Sequence, residues 1–187
     1  MALRINTDEI QRLRGKDIFL DTNIWIYLFC PLGNSREFII KKYSRAFKHL
    51  ISSENRMFTD ITVLSEFINR FERLAFDRYK TEEKKGEEFN FKKDYKRTGD
   101  FLEIRRLIKS TVKNKILKWS SIVNIQYEKR VIEELMNHLG EESIDFNDLH
   151  IEKLCREKKL ILLTDDGDYT DSSIDIISGN PKLAGKK

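Results

Sequence analysis

Residues 17–24 read DIFLDTNI: an apolar run that stops on Asp21, followed by Thr22 and Asn23 before the hydrophobic pattern resumes. An Asp at the exit of a strand is ordinarily a turn residue or the N-cap of the next helix, because its short side chain accepts bonds from nearby backbone N–H groups. One such residue decides nothing. The reading turns on whether other acids stand at equivalent strand ends elsewhere in the chain.

Four more short apolar runs follow: RMFT at 56–59, SIVNI at 121–125, LILLT at 160–164 and IDIIS at 174–178. Between them the apolar residues fall at helical spacing. Phe38, Ile39, Tyr43, Ala46, Phe47 and Leu50 mark a helix over about 35–51, and Val63, Leu64, Phe67, Ile68, Phe71 and Leu74 mark another that opens after Asp60. Further helices are expected over 101–117, over 128–139 with Gly140 as its stop, and over 147–157. Strands alternating with helices in this way give a parallel sheet with crossover helices, an α/β fold. The stretch YKTEEKKGEEFNFKKDYKRTGD at 79–100 breaks the rhythm with dense charge of both signs and few aliphatic residues. It reads as an exposed insertion or mobile loop, and its interleaved Lys, Phe and Tyr would also suit a grip on single-stranded nucleic acid.

A chain of 187 residues fits one domain with a core large enough to need no disulfides. Hydrophobic residues make up 40% and charged residues 35%, the balance of a water-soluble globule, and no run of eighteen apolar residues exists to span a membrane. The opening residues lack the apolar middle of a signal peptide, so a cytoplasmic location is expected. Cys30 and Cys155 lie far apart among apolar neighbours and read as small core residues rather than zinc ligands or a disulfide. A formal charge of +4 permits nucleic-acid binding without requiring it.

In parallel α/β sheets, functional groups collect just beyond the carboxyl ends of the strands, where strand order reverses. That rule selects a few of the 31 acids. Asp21 follows the first strand; Asp165, Asp166 and Asp168 follow the fourth in LILLTDDGDY. Glu66 lies one to two turns into the helix after the second strand, where its ordinary role would be an i, i+4 pair with Arg70. Asp145 and Asp148 open the helix before the fourth strand, and one of them is the expected N-cap. His49, His138 and His150 belong to no nucleophile motif; His150 is nearest the acids. Carboxylates gathered in a partly dry notch repel one another unless protons or a cation neutralise them. Mg²⁺ or Mn²⁺ does so with a few carboxylates while keeping water and phosphate as ligands, which is the chemistry of phosphodiester cleavage. An acidic pocket also needs cations nearby to hold a polyanion, and Arg70, Arg105, Arg106 and Lys109, otherwise ordinary members of solvated helix faces, are the candidate contacts to a phosphate backbone.

Three pieces together, FLDTNIWIYLF at 19–29, TVLSEFINR at 62–70 and NDLHIEKLCREKKLILLTDDGDY at 147–169, carry a resemblance to the PIN-domain nucleases, in particular the toxins of VapC-type toxin–antitoxin pairs. The resemblance implies a three-layer sandwich over 1–187, with a central parallel sheet of about five strands in the order 3-2-1-4-5 and with 79–100 as an insertion. It places the family's acids on Asp21, Glu66, Asp148 and Asp166, with Asp168 next in line as a metal ligand. The doublet Asp165 and Asp166 leaves the fourth ligand open by one residue. Thr22, Asn23 and Thr164 match small polar residues that orient the site, with Asp165 and Asp145 in support. The implied activity is a Mg²⁺- or Mn²⁺-dependent endoribonuclease with RNA as substrate and an antitoxin and a second copy of the chain as partners. Three other readings stand beside it: a nuclease of RNA processing outside a toxin pair, a binding module whose acids only cap helices, and a haloacid-dehalogenase-like phosphatase. The last uses Asp21 as nucleophile but expects a second Asp where Asn23 stands.

Overall fold

Ile18, Phe19 and Leu20 are consecutive and each is fully buried. Successive side chains of a strand point to opposite faces, so helices must cover both sides of this one, as a parallel sheet requires. The structure, a computed structural model, describes residues 2–33, 35–139 and 145–183. Its strands are β1 (Arg4–Asn6), β2 (Asp17–Leu20), β3 (Arg56–Thr59), β4 (Ser120–Ile122), β5 (Ile161–Leu163) and β6 (Ile176–Ser178), all in one parallel sheet of order β1-β6-β5-β2-β3-β4.

Read from β4 to β6, the five expected strands stand in the expected order. The sixth, β1, corrects the count. Its three residues, RIN, are too short to leave an alternating pattern, and only the edge pairing of Ile5 with Ile177 makes them a strand.

Among the described residues seven helices flank the sheet: α1 (Thr22–Phe29), α2 (Glu37–Ser52), α3 (Ile61–Glu82), α4 (Gly99–Thr111), α5 (Leu117–Trp119), α6 (Lys129–Leu139) and α7 (Phe146–Lys158). α3 is capped by Asp60, whose side chain accepts from the Val63 N–H, and α7 by Asp145, which accepts from the Asp148 N–H. The helix expected over 101–117 is interrupted: a π-type turn over Val112–Ile116 divides α4 from α5. Gly140, the expected stop of α6, lies outside the described residues. Both cysteines are free and buried.

The charged insertion differs from expectation in a way that matters for function. Its acids and lysines are largely exposed, but its aromatic residues turn inward onto α3, which runs on to Glu82. Tyr95 is fully buried and Phe91 nearly so. Phe76, Tyr79, Phe89, Phe91, Tyr95 and Phe101 form one cluster, with neighbouring ring centroids 5.3–6.3 Å apart. The Tyr95 hydroxyl donates to Asp100 (2.6 Å), and the buried Glu72 on α3 draws Arg105 (3.6 Å) and Lys96 (4.0 Å) across it. Rings spent on a core cannot stack on bases, so the nucleic-acid grip suggested by their spacing is not available to Phe91 and Tyr95.

Removing one of these rings tests the packing. Tyr95→Ala is expected to lower the unfolding free energy by about 3–5 kcal/mol, the usual cost of deleting a buried aromatic side chain. Urea unfolding reads it; a change within about 0.5 kcal/mol would mean that the segment contributes nothing to the core.

Candidate acidic site at the carboxyl edge of the sheet

β2 and β5 are neighbours, with Leu20 opposite Leu163. The next residues, Asp21 and Thr164, therefore leave the sheet side by side, and the Asp21 N–H still donates to the Leu163 carbonyl (3.1 Å). Asp21 then caps α1: its Oδ1 accepts from the Thr22 N–H (2.6 Å). Its Oδ2 accepts from the Thr164 hydroxyl (2.6 Å) and the Asn23 side-chain amide (2.7 Å). Asn23 reaches on to the Asp165 N–H, accepting through Oδ1 at 3.2 Å. The helix-cap reading of Asp21 is thus correct as far as it goes.

It does not account for the electrostatics. Asp21 is only 5% exposed, and burial pushes its carboxyl up from 3.8 to about 6 despite the bonds from Thr164 and Thr22; the negative fields of Glu66 and Asp166 add to the rise. Asp148 is pushed up to about 7, first by burial and then by the fields of Asp145, Asp21 and Asp166, against the pull of a 2.7 Å bond from the Tyr169 hydroxyl. Glu66 is held by the Thr22 hydroxyl (3.0 Å) and lies 3.5 Å from Arg70, so the i, i+4 pair forms as well. Among the described residues Asp166 receives no side-chain donor. Its backbone N–H donates to Thr164 Oγ1 (3.0 Å), and its carboxylate caps the short turn that follows by accepting from the Asp168 N–H (3.1 Å). Asp21, Glu66, Asp148 and Asp166 come from four separate segments and act on one another through space.

The other sequence candidates divide. Asp165 points away from this group: its carboxylate accepts from the Tyr43 hydroxyl (2.5 Å) and the Tyr27 hydroxyl (3.0 Å), and its carbonyl from Asn180 (2.7 Å). Both phenols are pushed up, by burial first and then by Asp165 itself. Asp168 is exposed and joins the group through its backbone N–H. Asp145 serves as the α7 cap. Arg105 is drawn to Glu72, while Arg106 and Lys109 border a groove between α3 and α4 whose floor is Ile68, Leu102, Ile108 and Val112.

His150 has a structural partner set that its sequence context gave no sign of. Its Nε2 meets the buried Asp60 carboxylate and its Nδ1 meets the Tyr127 hydroxyl, so the start of α3, α7 and the segment after β4 are tied together. The tie fixes the helices that carry Glu66 and Asp148. Tyr169 was likewise missed as a partner of Asp148, although it is the aromatic residue that closes LILLTDDGDY.

The family model of the PIN domain matches residues 18–173. The chain belongs to the PIN-domain family, and with it to the nucleases. Two solved structures share its fold. VapBC2 from Rickettsia felis, described as bound to a DNA fragment from their promoter, is 14% identical, with a TM-score of 0.53 over 87% of this chain and 98% of that one. FitAcB from Neisseria gonorrhoeae is 12% identical, with a TM-score of 0.52 over 86% of this chain and 96% of that one. None of the curated proteins matches the chain.

Asp21 and Asp148 hold protons in the folded chain at pH values where an unfolded Asp has lost them, so the folded form binds more protons between about pH 4 and 7. Their stabilising effect is complete below pH 4 and lost as pH rises through 6 to 7. In metal-free buffer the wild-type unfolding free energy should fall more steeply from pH 5 to pH 8 than that of Asp21→Asn, read by urea titration at each pH. Parallel profiles would contradict the assignment.

Proposed function

We infer that the chain is a divalent-metal-dependent endoribonuclease that hydrolyses RNA phosphodiester bonds and serves as the toxin of a type II toxin–antitoxin pair. Asp21 carries the nuclease reading. It is a nearly sealed carboxylate, fixed by three donors and set among other acids, which is tolerable only with a proton or a cation beside it. The candidate ligands Asp21, Glu66, Asp148 and Asp166 are all carboxylates, and an oxygen-only set suits Mg²⁺ or Mn²⁺.

Among the described residues no three His, Cys, Asp or Glu side chains stand close enough to enclose an ion by themselves. That openness fits Mg²⁺, which is commonly bound through one or two carboxylates and keeps several waters. Asp21, Glu66, Asp148 and Asp166 would hold it, one or two of them directly and the others through its waters, with Asp168 one step outside. Bound there, the ion supplies charge neutralisation at the phosphate and acidifies a water for attack on phosphorus.

The chain's own residues set up the rest. Thr22, Thr164 and Asn23 fix the two Asp21 oxygens, and Thr22 aims Glu66. Tyr169 holds one oxygen of Asp148, whose value of about 7 suits proton exchange near neutral pH. Asp165, turned onto Tyr27 and Tyr43, braces the loop from behind. The phosphatase alternative loses its second acid, because Asn23 is engaged with Asp21 and Asp165. The toxin half of the reading rests on the likeness in fold to VapBC2 and FitAcB, and it brings with it an antitoxin partner, a second copy of the chain and a cytoplasmic setting.

Asp21→Asn keeps the size and the helix cap while removing the charge. It is expected to reduce Mg²⁺-dependent cleavage of a single-stranded RNA by more than about 100-fold, with far-UV circular dichroism unchanged. Cleavage at the wild-type rate would refute the assignment. Expression of the wild type, but not of this variant, should arrest growth of a bacterial host; arrest by both would remove the toxin reading.

A further inference from the structure

Among the described residues Arg70 is the one cation paired with an acid of the notch, yet the substrate is a polyanion on the reading above. A set of cations does begin one step away. Lys182 lies over Gly167, in the turn between Asp166 and Asp168: a methyl group at Gly167 would stand 3.3 Å from its Cδ and 3.9 Å from its Nζ. Lys42, on α2, lies across Gly179 so closely that a methyl group there would be 2.4 Å from its Cδ, and its ammonium donates to the Gly179 carbonyl (3.0 Å). Gly179 and its neighbour Asn180 are built into the site's supporting frame. The Gly179 N–H donates to the Tyr43 hydroxyl (2.9 Å), which donates to Asp165, and Asn180 donates to the Asp165 carbonyl. Lys42 is thus positioned by the same loop that braces the acids.

Beyond Lys42 opens a cavity of about 510 Å³ between α2 and the 3₁₀ turn at Thr7–Arg12. Lys41, Lys42, Arg45 and His49 line it from α2, and Phe38 stands at its border with 57% of its surface exposed. Among the described residues Asp8 is its one acidic lining residue, and Lys41 is paired with Glu37 on its own helix. A concave cationic surface beside an exposed aromatic ring is what a single nucleic-acid strand needs: ammonium and guanidinium groups for phosphates, a ring face for a base. The volume is in the range that holds a small-molecule-sized group such as one nucleotide.

We propose that this cavity, entered past Lys182 and Lys42, binds the RNA strand on one side of the scissile bond, with phosphates on Lys42 and Arg45 and a base stacked on Phe38. The assignment rests on the nuclease reading for the identity of the strand, but it is tested by binding rather than by cleavage. The probe is a fluorescein-labelled single-stranded RNA oligonucleotide, followed by anisotropy in EDTA at several salt concentrations. Each phosphate contact on a single strand contributes about 0.7 to the slope of log K against log salt. Lys42→Gln/Arg45→Gln should therefore lower that slope by about 1.4 and weaken binding, while Phe38→Ala should weaken binding on the order of ten-fold with the slope kept.

A double variant that binds with wild-type affinity and slope would overturn the proposal, as would a wild type that does not bind the RNA. Weaker binding with an unchanged slope would overturn it too, since the contacts would not be to phosphate. If the wild type cleaves RNA and Asp21→Asn does not, while the double variant binds normally, only this inference falls. If no cleavage occurs but the slope drops as stated, the nuclease reading falls and the strand site stands.

Discussion

The pairing of β2 with β5 is the constraint on which the rest depends. Parallel neighbours share a direction, so the residue after each leaves the sheet at the same edge. With Leu20 opposite Leu163, Asp21 and Thr164 emerge together, and a 2.6 Å hydrogen bond joins them. A slip of one residue would exchange the two faces of a strand, placing side chains shaped for one helix layer against the other. Because Ile18, Phe19, Leu20, Leu162 and Leu163 are all fully buried, such a slip has no tolerable alternative packing, and the geometry of the acids is pinned by the apolar core beneath them.

Capping and chemistry are not rival roles here. Asp21, Asp60, Asp145 and Asp166 each accept a backbone N–H at the start of a helix or turn. In a parallel sheet the helices that follow strands begin at the carboxyl edge, which is also where a site must be, so caps and functional acids compete for the same positions. What separates them is the field. Asp60 meets His150, and Asp145 caps α7 from the exposed side, whereas Asp21 is sealed and meets other carboxylates. Asp21 serves as a cap and leaves a charge problem unsolved; a cation or a proton must solve it.

How far the sequence discloses this arrangement follows from the range of each interaction. β2 and β3 have the bounds their apolar runs indicate, and β5 lies within its run, because a buried parallel strand is a continuous apolar segment. The convergence of the acids was readable from the carboxyl-edge rule alone. The choice between Asp165 and Asp166 was not, since Tyr27 and Tyr43, more than 120 residues away, turn Asp165 aside. The inward packing of the aromatic residues at 79–100 was hidden for a related reason. Its charges dominate the composition, while its few aromatic residues decide where it packs, and their partner is the far end of α3. β1 left no signal because three residues at an edge carry no period.

A cation at the carboxyl edge would bind in competition with protons. Mn²⁺ titrated into the metal-free protein near pH 6.5, in a weakly buffered solution containing a pH indicator, should bind and release protons, because Asp21 and Asp148 hold them near neutrality and must give them up to a cation. Release should be smaller at pH 9, where both are already ionised, and smaller again in Asp21→Asn at pH 6.5. If Mn²⁺ at millimolar concentration does not bind, or binds with the same proton release after the substitution, the acids at the carboxyl edge are not a metal site.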